Sequence, residues 1–274
     1  MTITTELGII SGMLPPIYYS KGTGTTSTAT PNALGLSAAG FPAAFVPATP
    51  GLAGATINGV SSTLGGTIPF VNSVSGNSYL AQWSVFSGGT LTGVSAFDFL
   101  WYNTGIGITT TTAQTVNSVT LPARDANGAT NGVGVSVWLY CSATTGNLSA
   151  ITNTTISYTN AAGASGLTGS TVFNWPISGP IGSFVPFSWN AGDTGVQSIQ
   201  SITLGTSYVS GTVNILMIRD ISYFGTYNIQ AGQIMDWAQC GFPILYNGTA
   251  LSFWVMASGA GAGGLNGNLI FTQG

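Results

Sequence analysis

The sequence predicts an all-β protein, an antiparallel β-sandwich or jelly roll preceded by an extended proline-rich N-terminal arm. Three observations predict it. Apolar and small or polar residues alternate in short runs, most clearly where Val133, Val135, Val137, Leu139 and Cys141 interleave with Gly134, Ser136, Trp138 and Tyr140. A period of two places alternate side chains on opposite faces of a sheet. Gly, Asn and Ser clusters separate the runs, as turns between strands do. Little of the chain avoids Gly, Pro and β-branched residues for long enough to favour a helix.

Residues 1–60 hold Pro15, Pro16, Pro31, Pro42, Pro47 and Pro50, half of the chain's 12 prolines, without sustained alternation. Proline donates no ladder hydrogen bond, so this segment reads as an arm with no core pattern, ordered by lying on something else. The β-sandwich domain is then 61–274, with a potential subdivision near residue 225. Within it, Tyr79–Phe86 and Leu91–Trp101 flank Ser87-Gly88-Gly89-Thr90, which suits a tight hairpin. Thr154–Thr159, Ser183–Trp189, Ser198–Leu204, Thr212–Arg219, Ser222–Ile229, Thr249–Ala257 and Leu269–Thr272 continue the series, and Ser210-Gly211 is a second hairpin signal. Gln233–Gln239 suits one or two helical turns. Thr23–Thr30 and Thr109–Thr112 are polar low-complexity tracts, and Gly259–Gly264 reads as a flexible loop.

A chain of 274 residues is long enough to bury a substantial core. Its charge content is 3%, against roughly 25% in an ordinary soluble domain. The charged residues are Lys21, Arg124, Arg219, Glu6, Asp98, Asp125, Asp193, Asp220 and Asp236. Three cations cannot form the basic stripe that nucleic acid requires, so no nucleic-acid partner is expected. A hydrophobic content of 44% excludes a disordered polyelectrolyte. Mean hydropathy is +0.40, yet the best apolar stretch, Ala33 to Ile57, carries Pro42, Pro47 and Pro50. No membrane partner is therefore expected. Met1 to Leu7 includes Glu6 and no positive region, so the sequence gives no secretory signal and synthesis in a cytoplasm is expected. Cys141 and Cys240 lie in apolar surroundings and read as buried free thiols rather than a disulfide.

The chemistry-bearing patterns point away from catalysis. The absence of histidine removes the commonest general base and metal ligand. Serines are abundant but lack an activating base, and no two carboxylates form a close sequence pair for glycoside hydrolysis. Gly259, Gly261 and Gly264 match a dinucleotide fingerprint, but too few residues follow for the crossover helix and second strand. Asp125-Ala-Asn127-Gly128 is too short for a calcium loop. No catalytic, cofactor-binding or metal residue is assigned, no cofactor is expected, and the chain is not read as an enzyme. Arg124-Asp125-Ala-Asn127-Gly128 reads as a solvated turn, while Arg219 closes an apolar strand and points to a sheet rim or a neighbouring subunit. Trp83, Trp101, Trp138 and Trp254 lie inside strand patterns and read as core or interface residues rather than sugar-stacking ones.

Between Phe97 and Arg219 the sequence resembles structural proteins of tailed bacteriophages. The resemblance is carried by Leu100-Trp-Tyr-Asn-Thr-Gly105, Leu121-Pro-Ala-Arg-Asp-Ala-Asn-Gly128, Ile156-Ser-Tyr-Thr-Asn160, and Ala191-Gly-Asp-Thr-Gly-Val-Gln-Ser-Ile-Gln-Ser-Ile202 leading to Ser210-Gly-Thr212. Among these proteins, capsid decoration (cement) proteins are the better match. The resemblance implies a β-rich, noncatalytic virion component that binds the major capsid protein and copies of itself, often as a homotrimer, assembled in the host bacterial cytoplasm. The alternative it leaves is a tail or head-fibre protein that recognises host-surface carbohydrate.

Overall fold

The computed structural model describes residues 3–25, 30–60, 65–89, 91–146, 152–174, 178–225, 232–257, 259 and 263–274, without the side chain of Phe224. The protein is all-β, with antiparallel sheets packed in sandwich-like layers and, among the described residues, two short helices, Glu6–Ser11 and Leu34–Ser37.

The central sheet runs Val135–Gly146, Ser210–Gly225, Leu91–Tyr102, Leu251–Ala257. Phe184–Pro186 and Ser178–Gly179 extend it beside Val135–Gly146, and Ala55–Thr56 pairs with Tyr102 and Trp101. Its two edges are joined by residues 31–33. Asn32 N–H donates to Val255 O at 2.9 Å and Asn32 O accepts from Val255 N–H at 2.8 Å, while Ala33 N–H donates to Gly182 O at 2.8 Å and Phe184 N–H to Pro31 O at 2.9 Å. The sheet therefore closes into a small barrel, which removes both exposed edges at this level.

Alternation, interrupted by a bulge at Leu100, sorts the side chains into an interior and an exterior. Phe97, Phe99, Tyr102, Trp138, Tyr140, Phe184, Leu216 and Ile218 fill the barrel, joined there by Ala33, Leu36, Phe45 and Ile57 from the first 60 residues. Phe45 meets Phe99 and Tyr102 edge-on at 5.2 and 5.1 Å, the geometry that ring quadrupoles favour. The exterior carries two further cores. Val94, Ala96, Leu251, Phe253 and Val255 pack under a second sheet ordered Gly232–Met235, Ser78–Ser87, Leu265–Gln273, Ile17–Lys21, Gly40–Phe41, which contributes Tyr19, Trp83, Val85, Leu269 and Phe271. Val135, Val137, Leu139, Val213, Ile215 and Met217 pack under a third sheet ordered Gln114–Thr115, Val196–Thr203, Thr155–Asn160, Leu167–Ser170, through Ile156, Tyr158, Val196, Ile199 and Ile202.

The strand series is where the alternation places it, but several local expectations are corrected. The first 60 residues are not an arm lying on a separate body. Ile17–Lys21 pairs with Leu265–Leu269, and residues 31–57 close and fill the barrel. Prolines still set its form: extended segments that pair along edges and plug space. Ser87-Gly88-Gly89-Thr90 does not make a hairpin, because Ser78–Ser87 and Leu91–Tyr102 belong to different sheets. The glycine pair serves close approach instead: a Cβ on Gly263 would stand 2.1 Å from Gly89 N. Ser210-Gly211 is a bulge inside a 16-residue strand rather than a turn. Gln233–Gln239 is no helix. Gly232–Met235 pairs with Phe86 to Trp83, because the exposed edge of Ser78–Ser87 offers ladder partners that a short isolated helix lacks. Residues 26–29, 226–229, and 258 and 260–262 within or beside the tracts expected above lie outside the described residues.

Candidate functional site

Five of the nine charged residues are inside the protein, and they include every lysine and arginine. Burying a charge costs free energy unless it is paired and hydrogen-bonded. Arg124 solves this at a fork. The short strand Ala55–Thr56 and the strand Leu251–Ala257 both run along Leu91–Tyr102, one after the other, and Arg124 enters where they part. The Arg124 guanidinium donates there to Ile57 O at 2.8 Å, Phe99 O at 3.1 Å and Gly248 O, while its Nε meets Asp98 Oδ2 at 3.1 Å. The other Asp98 oxygen receives Ala250 N–H at 2.9 Å.

Asp98 stands on the barrel exterior between Ala96 of one outer core and Leu100 of the other. It shares its Oδ2 with Arg219, 3.9 Å away. Arg219 donates to Ile244 O at 3.2 Å and lies over the Tyr246 ring at 5.2 Å, so it stays within its own chain. Burial lowers its pKa, opposed chiefly by the Asp98 charge. Asp125 is fully enclosed and accepts four backbone N–H groups, from Asn127, Ala129, Gly132 and Val133. The solvated-turn reading of Arg124-Asp125 is thus corrected. The turn residues are present, but the pair points inward, one to the fork and one into its own loop.

Lys21 is 1% exposed, and its ammonium donates to Pro42 O at 2.7 Å. Burial lowers its pKa to about 8. The side chains left at the surface are Glu6, Asp220 and Asp236, with Asp193 partly covered. No lysine or arginine side chain is exposed, so the surface is neutral apart from a few carboxylates.

Two surface features stand out against this background. The first is the outer face of the second sheet, where Tyr18, Asn268, Ser84 and Ile234 form one registered row across four strands. Tyr18 and Ile234 are each 65% exposed. Beside that row, Ser20, Asn266 and Phe86 form a second, with Ser20 Oγ donating to Asn266 Oδ1 at 2.6 Å. The face is broad, apolar at intervals and free of acidic or basic side chains.

The second is the open mouth of the barrel, a basin of about 500 Å³ lined by Ser95, Asp220, Ile221, Ser222, Tyr223, Trp254 and Met256. Trp254 and Tyr223 both register with Ser95 on the strand between them, and the small serine lets their rings lean together, centroids 5.9 Å apart and 31° between planes. Trp254 Nε1 and Ser95 Oγ both donate to Asp220 Oδ1 at 3.2 Å. The apolar walls raise the Asp220 pKa and these two bonds oppose the rise. Of the four tryptophans read as core or interface, Trp83, Trp101 and Trp138 are buried, and Trp254 is half-buried at this mouth. Trp254 packs on Trp138 yet reaches the surface; its place at the end of the barrel has no signal in sequence. A second basin, of about 400 Å³, is lined by Pro47, Ala48, Thr49 and Gly51 together with Ser142, Thr212 and Asn214.

Cys141 and Cys240 are buried free thiols whose pKa values burial pushes up to about 11 and about 12. Among the described residues no three His, Cys, Asp or Glu side chains cluster to hold a metal, and no helix is long and apolar enough to cross a membrane.

No protein-family model matches the sequence, and no curated protein does either. Among solved structures, one of the infectious bursal disease virus Gt strain aligns with 94% of this chain and 81% of its own, at 10% identity and a TM-score of 0.19. The crystal structure of the infectious bursal disease virus VP2 subviral particle aligns with 95% of this chain and 80% of its own, at 10% identity and a TM-score of 0.16. Similarity at that level assigns this chain to no family.

Proposed function

We propose that the protein is a noncatalytic virion structural protein of a tailed bacteriophage, a capsid decoration protein that binds the major capsid protein and copies of itself. The observation that carries the proposal is the uncharged outer sheet face of Tyr18, Asn268, Ser84, Ile234 and Phe86 on a molecule that keeps all its lysines and arginines inside. Neutral polar and apolar groups shed water at less cost than ions, and a surface with few charges lets many copies approach without strong mutual repulsion. A structural role also fits a fold that spends its ionic groups on holding layers together. The phage-protein resemblance between Phe97 and Arg219 supports the same reading.

Cryo-electron microscopy of assembled particles tests it. Density for this chain on the head shell, with the Tyr18–Ile234 face turned to a capsid subunit or a second copy, is the expected result. Density confined to the tail, or the face turned to solvent, overturns the decoration role. The paired substitution Tyr18→Asp with Ile234→Asp should abolish particle occupancy while leaving the purified chain folded.

A further inference from the structure

We propose that the open mouth of the barrel is a binding site for a single neutral sugar ring, stacked on Trp254 and Tyr223 and hydrogen-bonded to Asp220. The inference does not depend on where the protein resides. A pyranose offers an apolar C–H face and a rim of hydroxyl donors. The basin offers the complement: a nearly continuous aromatic platform and, lining it beside the rings, a carboxylate held at its Oδ1 by Trp254 and Ser95. Hydrogen bonds to an ionised acceptor are stronger than neutral ones, and barrel mouths are common ligand sites.

The platform is held in place before any ligand arrives. Trp254 is fixed at its Nε1 by Asp220 and on its face by Trp138, centroids 5.6 Å apart. Trp138 is fixed in turn by Phe184 at 4.3 Å and by Ser136 Oγ at 2.8 Å. Tyr223 lies down across Gly93, where a Cβ would come 2.2 Å from its hydroxyl. A side chain at residue 93 would lift the ring off the sheet.

Two other occupants fit less well. A cationic ammonium group calls for aromatic walls that face one another around it, whereas these rings share one surface at 31°. A second copy of the chain would cover Asp220 with a surface that presents no lysine or arginine, leaving a desolvated carboxylate without a counterion. A sugar supplies its own donors.

The experiment is saturation-transfer difference NMR on the full-length chain with methyl glycosides of glucose, galactose and N-acetylglucosamine, and with tetramethylammonium as the cationic probe. One platform and one carboxylate correspond to a Kd of about 1 mM. The expected result is transfer to the ring C–H protons of at least one glycoside. Gly93→Ala, Tyr223→Ala and Asp220→Asn should each weaken it about tenfold or more, with circular dichroism and thermal unfolding close to wild type. Trp254→Ala should abolish it, and the three other variants keep the test decisive if that one unfolds. The proposal is overturned by no transfer from any glycoside, by transfer unchanged in Gly93→Ala and Asp220→Asn, by binding of tetramethylammonium alone, or by self-association that Tyr223→Ala dissolves.

Discussion

Arg124 Nε sits 3.1 Å from Asp98 Oδ2 at the one place where both exterior cores and the parting edge strands come together. Asp98→Asn leaves the guanidinium buried without its counterion and should cost about 3–5 kcal/mol, read as a lower urea midpoint. Arg124→Met should cost as much, because Asp98 loses its closest counterion and the Ile57 and Phe99 carbonyls lose a shared donor. The double variant should be clearly less unstable than the sum of the two. Additive effects would show that the two residues stabilise the fold separately.

Both faces of Val135–Gly146 are covered, Val137 by the third sheet and Ser136 by the barrel interior, where it accepts Trp138 Nε1–H. Val137→Asp and Ser136→Asp should therefore both prevent folding, each burying an unpaired charge at several kcal/mol. Soluble yield and circular dichroism decide. A well-folded Ser136→Asp would mean that the barrel interior is open at that level.

Deleting residues 2–50 removes the Ile17–Lys21 strand, the closure at Asn32 and the Phe45 plug. The truncated chain should fail to fold rather than survive as a stable domain, and Phe45→Ala alone should cost about 3–5 kcal/mol. A cooperative thermal transition in the truncated chain would contradict this.

Lys21 makes stability depend on pH with a definite sign. Its pKa is lowered to about 8 in the fold and is about 10.4 in an unfolded chain, so between these values the unfolded state holds the extra proton and stability rises with pH. The two thiols act oppositely. They ionise near 9 when unfolded but only at about 11 and about 12 when folded, so they lower stability above pH ~8.5. Comparing Lys21→Met with wild type isolates the lysine: relative to the variant, the wild type should gain about 1 kcal/mol per pH unit from pH ~8 to ~10. A constant difference across that range would refute the assignment.

If the uncharged outer face mediates assembly, raising salt from about 0.05 to 0.5 M, which shortens the Debye length from roughly 14 to 4 Å, should leave particle occupancy nearly unchanged in a sedimentation assay. Steep release by salt would mean that the surface carboxylates carry the contact.

Period-two patterning makes the strands legible because it reports burial locally, residue by residue. Val135, Val137 and Leu139 need no tertiary knowledge to be placed on a core face. What stays hidden depends on partners far along the chain. Arg124-Asp125 has the composition of a solvated turn, and only the docking of Ile57 and Gly248 against it makes it interior. Gln233 has favourable local helix character, but the free edge of Ser78–Ser87 outcompetes it. The Gly-Gly signal at residues 88–89 is real, yet the chain uses it to pass between sheets instead of folding back. The aromatic mouth is hidden for the same reason: Trp254 reads only as a core or interface residue of a strand, and its nearness to Tyr223 follows from a three-strand register that no sequence window spans.

The closure at Asn32 also has a kinetic consequence. Its two strand partners, Ser183 and Val255, belong to the later part of the chain, so on the ribosome the barrel cannot shut until Val255 has left the exit tunnel. Residues 31–57 are made before these partners and must wait, with Phe45 and Leu36 exposed, while about two hundred further residues are synthesised. Closure is thereby deferred until residue 255 is free to pair and is governed by contacts of very high sequence separation, which makes it slow. In cells making many copies, the period before closure is the one in which this protein most needs protection from its own neighbours.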